Sequence, residues 1–453
     1  MFKIKTITLS LLALLLVMSF ASCASDTISD LPLPSKDMKA YLQVKVTVDG
    51  SGYTRASRAD KGPDGGEDGD GSEQGINKEN DVNSLTVLLY KSVKDDLSEA
   101  DATIDYVYTF TNLNKVTTSS GSDATYTTVP REIDASIVGK NYHVIVIANA
   151  DDMTSRCKGK ISEVRDLQMS KVCTRDADIT NFSNFIMSSK TDAMIDFTKE
   201  GSETDPYVVD VNIERLAARI DIIPNATYVD TDKGYYYNVM DGTNVIGGFK
   251  LESVTPTKVM TKGEYLIKRV SSDAAVSTVT YFGLEEMDAT TKASTNYVVC
   301  PWTKDRTGLT LAEAEGPTSF YNVKKTTSTG TIADASYILD YVMENTTTDN
   351  AETNSTGLVF KGKYYEAEDW DAAKKEPITG HESKGKDKAY TYVIRHSDPT
   401  GNGTTNDIMH YGIVRNNIYR VRIDGITGKG PDGMKVTLHV RKWATYTHDE
   451  TTM

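Results

Sequence analysis

The sequence predicts an all-β protein built from β-sandwich domains. Its apolar stretches are short, alternate with polar residues and are separated by residues that favour turns. Segments with the 3.6-residue period of an amphipathic helix are scarce, and residues 160–170 are the best candidate for a short helix. At 453 residues the chain is long enough for two or more domains.

The first strand is predicted at residues 40–48, which read AYLQVKVTV. Successive side chains of a strand point to opposite faces, so one face of this strand is apolar. That face carries Leu42, Val44, Val46 and Val48. Further strands are predicted at residues 85–90, 142–148, 207–213, 217–223, 263–270, 391–395, 418–423 and 434–440.

A secretory signal peptide is predicted at residues 1–22. Lys3 and Lys5 form a short basic region, and the apolar core that follows is shorter than the roughly 20 apolar residues of a membrane-spanning helix. Small residues then lead into Cys23, an arrangement that resembles a bacterial lipobox, in which the cysteine thiol carries the lipid. Acyl chains on Cys23 would hold the precursor on a membrane. The alternative is an ordinary signal peptide with an incidental cysteine.

Residues 51–75 are predicted to form an exposed loop that a protease can cut. The stretch reads SGYTRASRADKGPDGGEDGDGSEQG and contains almost no apolar residue, so it cannot contribute to a core. Arg55 and Arg58 lie in it, and exposed loops of this kind are preferred sites of proteolysis. The acidic residues lack the spacing of an EF-hand loop and its flanking helices, which favours a linker over a calcium site.

Charge and cysteine content exclude several classes of partner. The net charge of −14 argues against nucleic acid. Besides Cys23, the chain has Cys157, Cys173 and Cys300, an odd number that cannot fully pair. A disulfide between Cys157 and Cys173 stays open, because the sequence does not place the two within bonding distance. No cysteine and histidine cluster suggests zinc, and no cofactor is expected.

Motifs for catalysis are missing. The sequence contains no G-x-S-x-G, H-E-x-x-H, P-loop or G-x-G-x-x-G pattern. His396, in YVIRHSD, is the most suggestive histidine, but a triad also needs a nucleophile on a sharp exposed turn. A structural role for His396 is therefore favoured, and we expect a protein that is not an enzyme.

The C-terminal part of the chain carries a family likeness. Residues 410–426 read HYGIVRNNIYRVRIDGI, and the chain then ends in GMKVTLHVRKWATYTHDETTM. The stretch YVMENTTTDN at 341–350 and the stretch FIMSSK at 185–190 occur upstream. Together with the lipobox, the early strand and the arginine-containing loop, these pieces resemble bacterial fimbrillins, the type V pilins, particularly the minor-fimbrium shaft-subunit type.

The resemblance implies two transthyretin-like β-sandwich domains in tandem, followed by a C-terminal donor-strand segment. It also implies export as a lipoprotein to the outer membrane and cleavage by a trypsin-like or arginine-specific protease after Arg55 or Arg58. Cleavage would remove Cys23 and the strand at 40–48, and a C-terminal strand of the next subunit would fill the groove left behind. The corresponding segments are a signal peptide at 1–22, a propeptide at 23–58, domains at 59–213 and 214–433, and the donor segment at 434–453.

The residues agree with such an exchange of strands. Removal of residues 40–48 takes four apolar side chains out of a core and leaves a row of unpaired backbone groups, which is a template for strand addition. The C-terminal segment has the same alternation as the strand it would replace. Its apolar face carries Met434, Val436, Leu438 and Val440, with Trp443 at the end.

Together these features predict a structural subunit of a cell-surface fimbrial shaft, joined head to tail to other copies and to related anchor and tip subunits. A head-to-tail contact that does not close builds a filament. The alternatives are a tip or anchor subunit, or a surface lipoprotein that binds glycan through an aromatic platform including Trp302 or Trp370. A secreted hydrolase that uses acidic residues is a third alternative. Which of the two final strands is exchanged stays open.

Overall fold

The computed structural model describes part of the chain. The described residues are 39–48, 72–74, 77–91, 102–116, 124–151, 153–175, 182–198, 201–228, 235–271, 279–281, 297–307, 311, 337–348, 351–396 and 410–444. The predicted signal peptide, Cys23, Arg55, Arg58 and the last residues of the donor segment, 445–453, lie outside them.

The fold is all-β with a sandwich-like layout, as the sequence predicts. The first fourteen strands are β1 Ala40–Val48, β2 Ser72–Gln74, β3 Leu85–Tyr90, β4 Ile104–Phe110, β5 Leu113–Val116, β6 Thr125–Thr128, β7 Arg131–Ile133, β8 Asn141–Ala148, β9 Gln168–Met169, β10 Thr174–Arg175, β11 Phe182–Ser183, β12 Met187–Ser189, β13 Ala193–Asp196 and β14 Tyr207–Arg215. The remaining strands are β15 Ala218–Ile223, β16 Thr227–Tyr228, β17 Tyr235–Asp241, β18 Asn244–Thr257, β19 Glu264–Tyr265, β20 Arg269–Ser271, β21 Val279–Tyr281, β22 Tyr297–Val298, β23 Tyr337–Val342, β24 Gly357–Glu366, β25 Trp370–Asp371, β26 Glu376–Pro377, β27 Lys386–Val393, β28 Asn417–Thr427 and β29 Met434–Ala444.

Helices are short. The α-helices of the described residues are α1 Met153–Arg156, α2 Ile161–Arg165 and α3 Ala351–Asn354. Single 3₁₀ turns lie at Asn77–Glu79, Ala135–Ile137, Ala367–Asp369 and Glu382–Lys384. None of these helices is long and apolar enough to cross a membrane, as far as the described residues go.

Two ten-stranded sheets organise the molecule. The first has the order β4-β3-β8-β12-β14-β1-β6-β5, with β13 also paired to β8 and β7 to β1. The second has the order β2-β29-β28-β17-β18-β24-β27, with β15 joining β28 to β23 and β16 paired to β17. The first sheet is thus built only from strands of the first half of the chain, whereas β2 crosses to the second sheet and β9, β10 and β11 lie in small two-stranded sheets.

The two sheets are closely joined. Only Leu216 and Ala217 separate β14 from β15, and the predicted boundary between residues 213 and 214 falls within β14. The apolar core of the first sheet also includes side chains from the second half of the chain, and β9 pairs with β19 across the halves. These side chains are Met260, Leu266, Ile267, Tyr341, Met343, Ile418 and Trp443.

Several sequence-based assignments differ from the structure. Residues 72–74, expected in the exposed loop at 51–75, form β2, which pairs with β29. The strand expected at 263–270 is two short strands, β19 and β20. The helix expected at 160–170 ends at Arg165, because Gln168 and Met169 pair with β19. Here tertiary pairing decides the outcome against local preference, as it often does for short elements.

Candidate functional site

Strand β1 lies in the interior of the first sheet. On one side it runs parallel to β14, with seven consecutive residue pairs from Leu42–Tyr207 to Val48–Ile213. On the other side it is antiparallel to β6 and β7. We call the space between β14 and β6–β7, which β1 fills, the β1 slot.

The apolar face of β1 is fully buried. The predicted side chains Leu42, Val44 and Val46 have 0% of their surface exposed, and Val48 has 1%. Ala40 lies on the same face, also at 1%. Between them, the polar side chains are half-buried on the opposite face. The alternation predicted for residues 40–48 is therefore present. The apolar face of this strand is part of the hydrophobic core.

The polar contacts of β1 with its neighbours lie mainly at the surface. Lys45 pairs with Asp210 of β14 at 2.9 Å, and Lys39 pairs with Glu132 of β7 at 3.0 Å. All four side chains are more than 40% exposed, and exposed pairs contribute only about 0–1 kcal/mol. Burial of the apolar face, together with backbone pairing, is what holds β1 in place.

A β-bulge interrupts the pairing on one side of the slot. Lys45 pairs with Thr127 of β6, whereas Leu42 pairs with Arg131 of β7, so Gln43 and Val44 face three residues, 128–130. Proline at position 130 has no backbone N–H, which is typical of such bulges. Thr128 bridges the gap, since its Oγ1 accepts a hydrogen bond from the Val44 N–H at 2.9 Å and its carbonyl accepts one from Gln43 Nε2 at 2.9 Å.

The predicted donor strand is β29, and it forms part of the second sheet. It pairs with β28 from Met434 to Lys442, and on its other side β2 covers only residues 442–444. The alternation of the segment is as predicted, with its apolar face in the core of its own sheet. The exposed fractions are 4% for Met434, 4% for Val436, 9% for Leu438, 2% for Val440 and 0% for Trp443.

Trp443 lies in a buried polar cluster that joins the two sheets. Its Nε1 donates to Glu79 Oε2 at 3.0 Å, and the Tyr341 hydroxyl donates to the other oxygen of the same carboxylate. Arg219 lies 3.2 Å from Glu79 and also forms an ion pair with Asp221 at 2.7 Å. Burial, with Glu79 beside it, raises the pKa of Tyr341 well above its usual range, so the hydroxyl stays a donor.

Arg215, the last residue of β14, completes this cluster. Its guanidinium lies 4.6 Å from the centre of the Trp443 ring, within the range of a cation–π contact. It donates to the Glu79 carbonyl at 2.9 Å, to Asn416 Oδ1 at 2.8 Å and to the Trp443 carbonyl at 3.3 Å. We call Glu79, Arg215, Arg219, Tyr341 and Trp443 the Glu79 cluster. It ties the end of β29 to the β14 end of the slot.

The remaining candidate residues have structural roles. His396 is buried and its Nδ1 lies 2.9 Å from the Tyr419 hydroxyl, which accepts a hydrogen bond from the Val414 N–H. Trp370 is 4% exposed and donates to Asn238, and Trp302 packs against the first core, so neither tryptophan forms an open platform for glycan.

The cysteines of the described residues are all buried. Cys157, Cys173 and Cys300 are buried free thiols, so the disulfide left open between the first two is not formed. Within the described part of the chain, no group of histidine, cysteine and acidic residues is placed to hold a metal ion.

Thr128 and the Glu79 cluster do not emerge from sequence reasoning. For Thr128 a weak signal exists, because proline two residues after it suggests a bulge or an edge strand. For the Glu79 cluster none exists, since its members are spread from residue 79 to residue 443 and no local pattern links them.

Two family models match the chain. The model described as Major fimbrial subunit protein (FimA) matches residues 40–215, from the first residue of β1 to the last residue of β14. The model described as Major fimbrial subunit protein type IV, Fimbrillin, C-terminal matches residues 384–448, which include β28 and β29. These families imply a cell-surface fimbria, polymerisation and association with other fimbrial subunits.

Solved structures also resemble the fold at low identity. A candidate cell adhesion protein of Parabacteroides distasonis matches at 16% identity with a TM-score of 0.46, covering 90% of this chain and 99% of that chain. A fimbrilin of Porphyromonas gingivalis matches at 16% with a TM-score of 0.39, covering 90% and 99%. The tip fimbrial protein Mfa3 of Porphyromonas gingivalis, with C-terminal truncation, matches at 14% with a TM-score of 0.38, covering 89% and 100%. No curated protein sequence matches the chain.

Proposed function

Because this chain belongs to the fimbrial subunit proteins, as its sequence predicts, we propose that it polymerises by exchanging β1 for the C-terminal strand of another copy. The observation that carries the proposal is the position of β1, an interior strand whose whole apolar face is buried. In sequence, this strand precedes the loop that contains Arg55 and Arg58. One cut in that loop separates β1 covalently from the rest of the sheet.

An empty β1 slot is strongly unfavourable. Burial of an aliphatic side chain contributes about 1.5–3 kcal/mol, so the four predicted side chains contribute about 6–12 kcal/mol together. That range is comparable to the stability of a whole domain. Cleaved subunits should therefore keep β1 until another strand with the same alternation replaces it.

Of the two final strands, β29 is the better donor. β28 is central in the second sheet, with β29 on one side and β15 and β17 on the other. β29 has β28 on one side and only the three residues of β2 on the other. Its release nevertheless has to break the contacts of Trp443 with Glu79 and Arg215. The Glu79 cluster thus opposes donation in a free subunit.

Export and processing complete the proposal. Cys23 carries the lipid that brings the precursor to the outer membrane, and a trypsin-like or arginine-specific protease cuts after Arg55 or Arg58. The subunit has a structural role and no enzymatic activity. Among fimbrial subunits, the proposal favours the minor-fimbrium shaft-subunit type, because such a subunit needs both a processing loop and a donor strand.

The proposal is tested by limited trypsin digestion of the chain without residues 1–23, with N-terminal sequencing and electron microscopy. Cutting at Arg55 or Arg58 should be followed by detergent-resistant ladders and fibres that lack residues 40–48. The matched control is the triple variant Arg55→Ala, Arg58→Ala and Lys61→Ala, because trypsin also cuts after lysine; this variant should stay monomeric. A cut protein that keeps residues 40–48 and forms no polymer at high concentration contradicts the proposal.

A terminal subunit that accepts a strand without donating one is the second candidate. The burial of Trp443 in the Glu79 cluster favours it, because this cluster retains β29 in its own sheet. Such a subunit stays monomeric after cleavage but takes up a synthetic strand with the sequence of β29. A shaft subunit forms polymers without any added strand.

A further inference from the structure

We propose that Thr128 sets the register in which the C-terminal strand of a second copy enters the β1 slot. In this register Thr128 Oγ1 accepts the N–H of Val436, and its carbonyl accepts the side chain of Lys435. The proposal rests on the strand exchange proposed above and adds the residue that selects one alignment.

The two walls of the slot differ in how well they define a register. Along β14 the seven parallel pairs repeat regularly, so a strand with alternating residues can slide by two positions and pair again. Along β6 and β7 the bulge at residues 128–130 breaks this repeat. A strand that slides by two positions meets the bulge at a different residue. The register of an occupying strand therefore depends on its alignment with the bulge between β6 and β7.

Thr128 makes the bulge selective because it is buried. Its residue exposure is 0%, so its hydroxyl and carbonyl depend on the occupant of the slot for these hydrogen bonds. A buried polar group that loses its partner is costly. An occupant consequently needs a backbone N–H where Val44 lies and a side chain that donates where Gln43 lies.

Residues 434–440 meet both requirements in one alignment. With the direction of β1 kept, Met434 takes the place of Leu42, and Val440 takes the place of Val48. Lys435 then takes the place of Gln43, and its ammonium is a hydrogen-bond donor with a long reach.

The neighbouring alignments are unfavourable. A slide of two residues in one direction puts Asp432 in the place of Leu42, and a slide in the other direction puts Lys442 in the place of Val48. Both places are at most 1% exposed, where an unpaired charge is not tolerated. In the first slide Gly433, which has no side-chain donor, also takes the place of Gln43, so side-chain polarity and Thr128 both disfavour it. In the second slide the shorter Thr437 takes that place, and the charge of Lys442 is what disfavours the alignment.

The register is measured by cross-linking in the trypsin-cleaved chain without residues 1–23, after the protease is inhibited. Asp210, which lies beside Lys45 in β14, is changed to cysteine. A synthetic peptide of residues 433–444 is added with cysteine at one of three positions. We expect the Thr437→Cys peptide to form the disulfide, and the Lys435→Cys and His439→Cys peptides to form little. The native thiols are buried and do not compete.

The role of Thr128 is measured by the rate at which bound peptide leaves. Thr128→Val removes the hydroxyl and keeps the shape, and we expect dissociation about tenfold faster, which corresponds to about 1.4 kcal/mol. Thr127→Val is the matched control, because alternate residues of β6 point to the other face. Should Thr128→Val fail to fold, a Lys435→Met peptide on the wild-type protein tests the same site and should also leave faster.

The outcomes separate the two proposals. Cross-linking through position 435 or 439, or equal peptide release from Thr128→Val and Thr127→Val, overturns the register proposal and leaves strand exchange intact. Failure of every peptide to displace residues 40–48 overturns strand exchange itself.

Discussion

Replacement of Glu79 by glutamine should destabilise the fold by about 3 kcal/mol, although the two side chains have nearly the same shape. The carboxylate is completely buried and receives donors from Trp443, Tyr341 and Arg219. Glutamine has one acceptor oxygen instead of two, and its amino group faces the same donors. At least one buried donor is then left without an acceptor, which costs about 1–3 kcal/mol.

The ion pair adds to this cost. Loss of one partner of a buried pair costs about 3–5 kcal/mol when the other charge stays uncompensated. Arg219 keeps Asp221 at 2.7 Å, so the lower end of that range applies. The costs of the unsatisfied donor and of the lost ion pair are not fully additive, because both arise from the same hydrogen bonds. Together they give about 3 kcal/mol.

The assay is urea unfolding at pH 7, followed by tryptophan fluorescence, because Trp443 reports directly on this cluster. Glu132→Gln is the matched control, since Glu132 is 53% exposed and pairs with Lys39 at the surface. This control should change the free energy of unfolding by less than about 1 kcal/mol. A loss below about 1 kcal/mol for Glu79→Gln would refute the view that this cluster holds β29 in its own sheet.

Three further predictions follow from the same structure. Glu79→Gln should also speed filament growth after cleavage, since the end of β29 is released more easily; unchanged growth curves in light scattering would show that release of β29 is not limiting. Burial raises the pKa of Asp340 to about 6, above the ordinary 3.8, so the stability from its protonated form is complete below 3.8 and is lost as the pH rises through about 6. Between pH 7.5 and pH 5, wild-type protein should therefore gain stability relative to Asp340→Asn in urea unfolding, and a constant difference would contradict this. Burial raises the pKa of Cys157 to about 11 and that of Cys173 to about 12, so both thiols should stay unreactive to an aromatic disulfide reagent at pH 8 until urea is added; rapid reaction of the folded protein would exclude their buried placement.

Local alternation was sufficient to predict β1 and the face of it that is buried. Each residue from Leu42 to Val48 has the burial that its position in the pattern requires. The same holds for the start of β29, where Met434 and Val436 are buried as expected. These strands are predictable because a half-buried strand imposes a two-residue period on the sequence.

Strand β18 shows why other elements were missed. It is the longest strand among the described residues, at 14 residues, yet it contains Gly247, Gly248 and Pro256, which usually indicate turns. A Cβ atom at Gly248 would collide with the ring of Trp370, so this glycine is required by packing. A bulge between Leu251 and Ser253 also breaks the alternation. Both features are consequences of the folded sheet and leave no periodic signal.

The candidate site was predictable in its strands and not in its connections. The sequence indicates an acceptor strand and a donor strand with equivalent apolar faces. It does not indicate that β29 is anchored through Trp443 to Glu79, a residue 364 positions earlier. A buried hydrogen bond over that separation depends on how the two sheets meet, which no window of sequence contains.

The interior position of the β1 slot has a mechanical consequence for a fimbria. If subunits exchange strands as proposed, tension along the axis of the occupant acts against β14 on one side and β6 and β7 on the other. In this shear geometry all the backbone hydrogen bonds of both walls carry the load at once. A strand at the edge of a sheet has only one such wall, so the same pull is shared by about half as many hydrogen bonds. Subunits linked through this slot should therefore withstand tension far better than their modest contact length suggests.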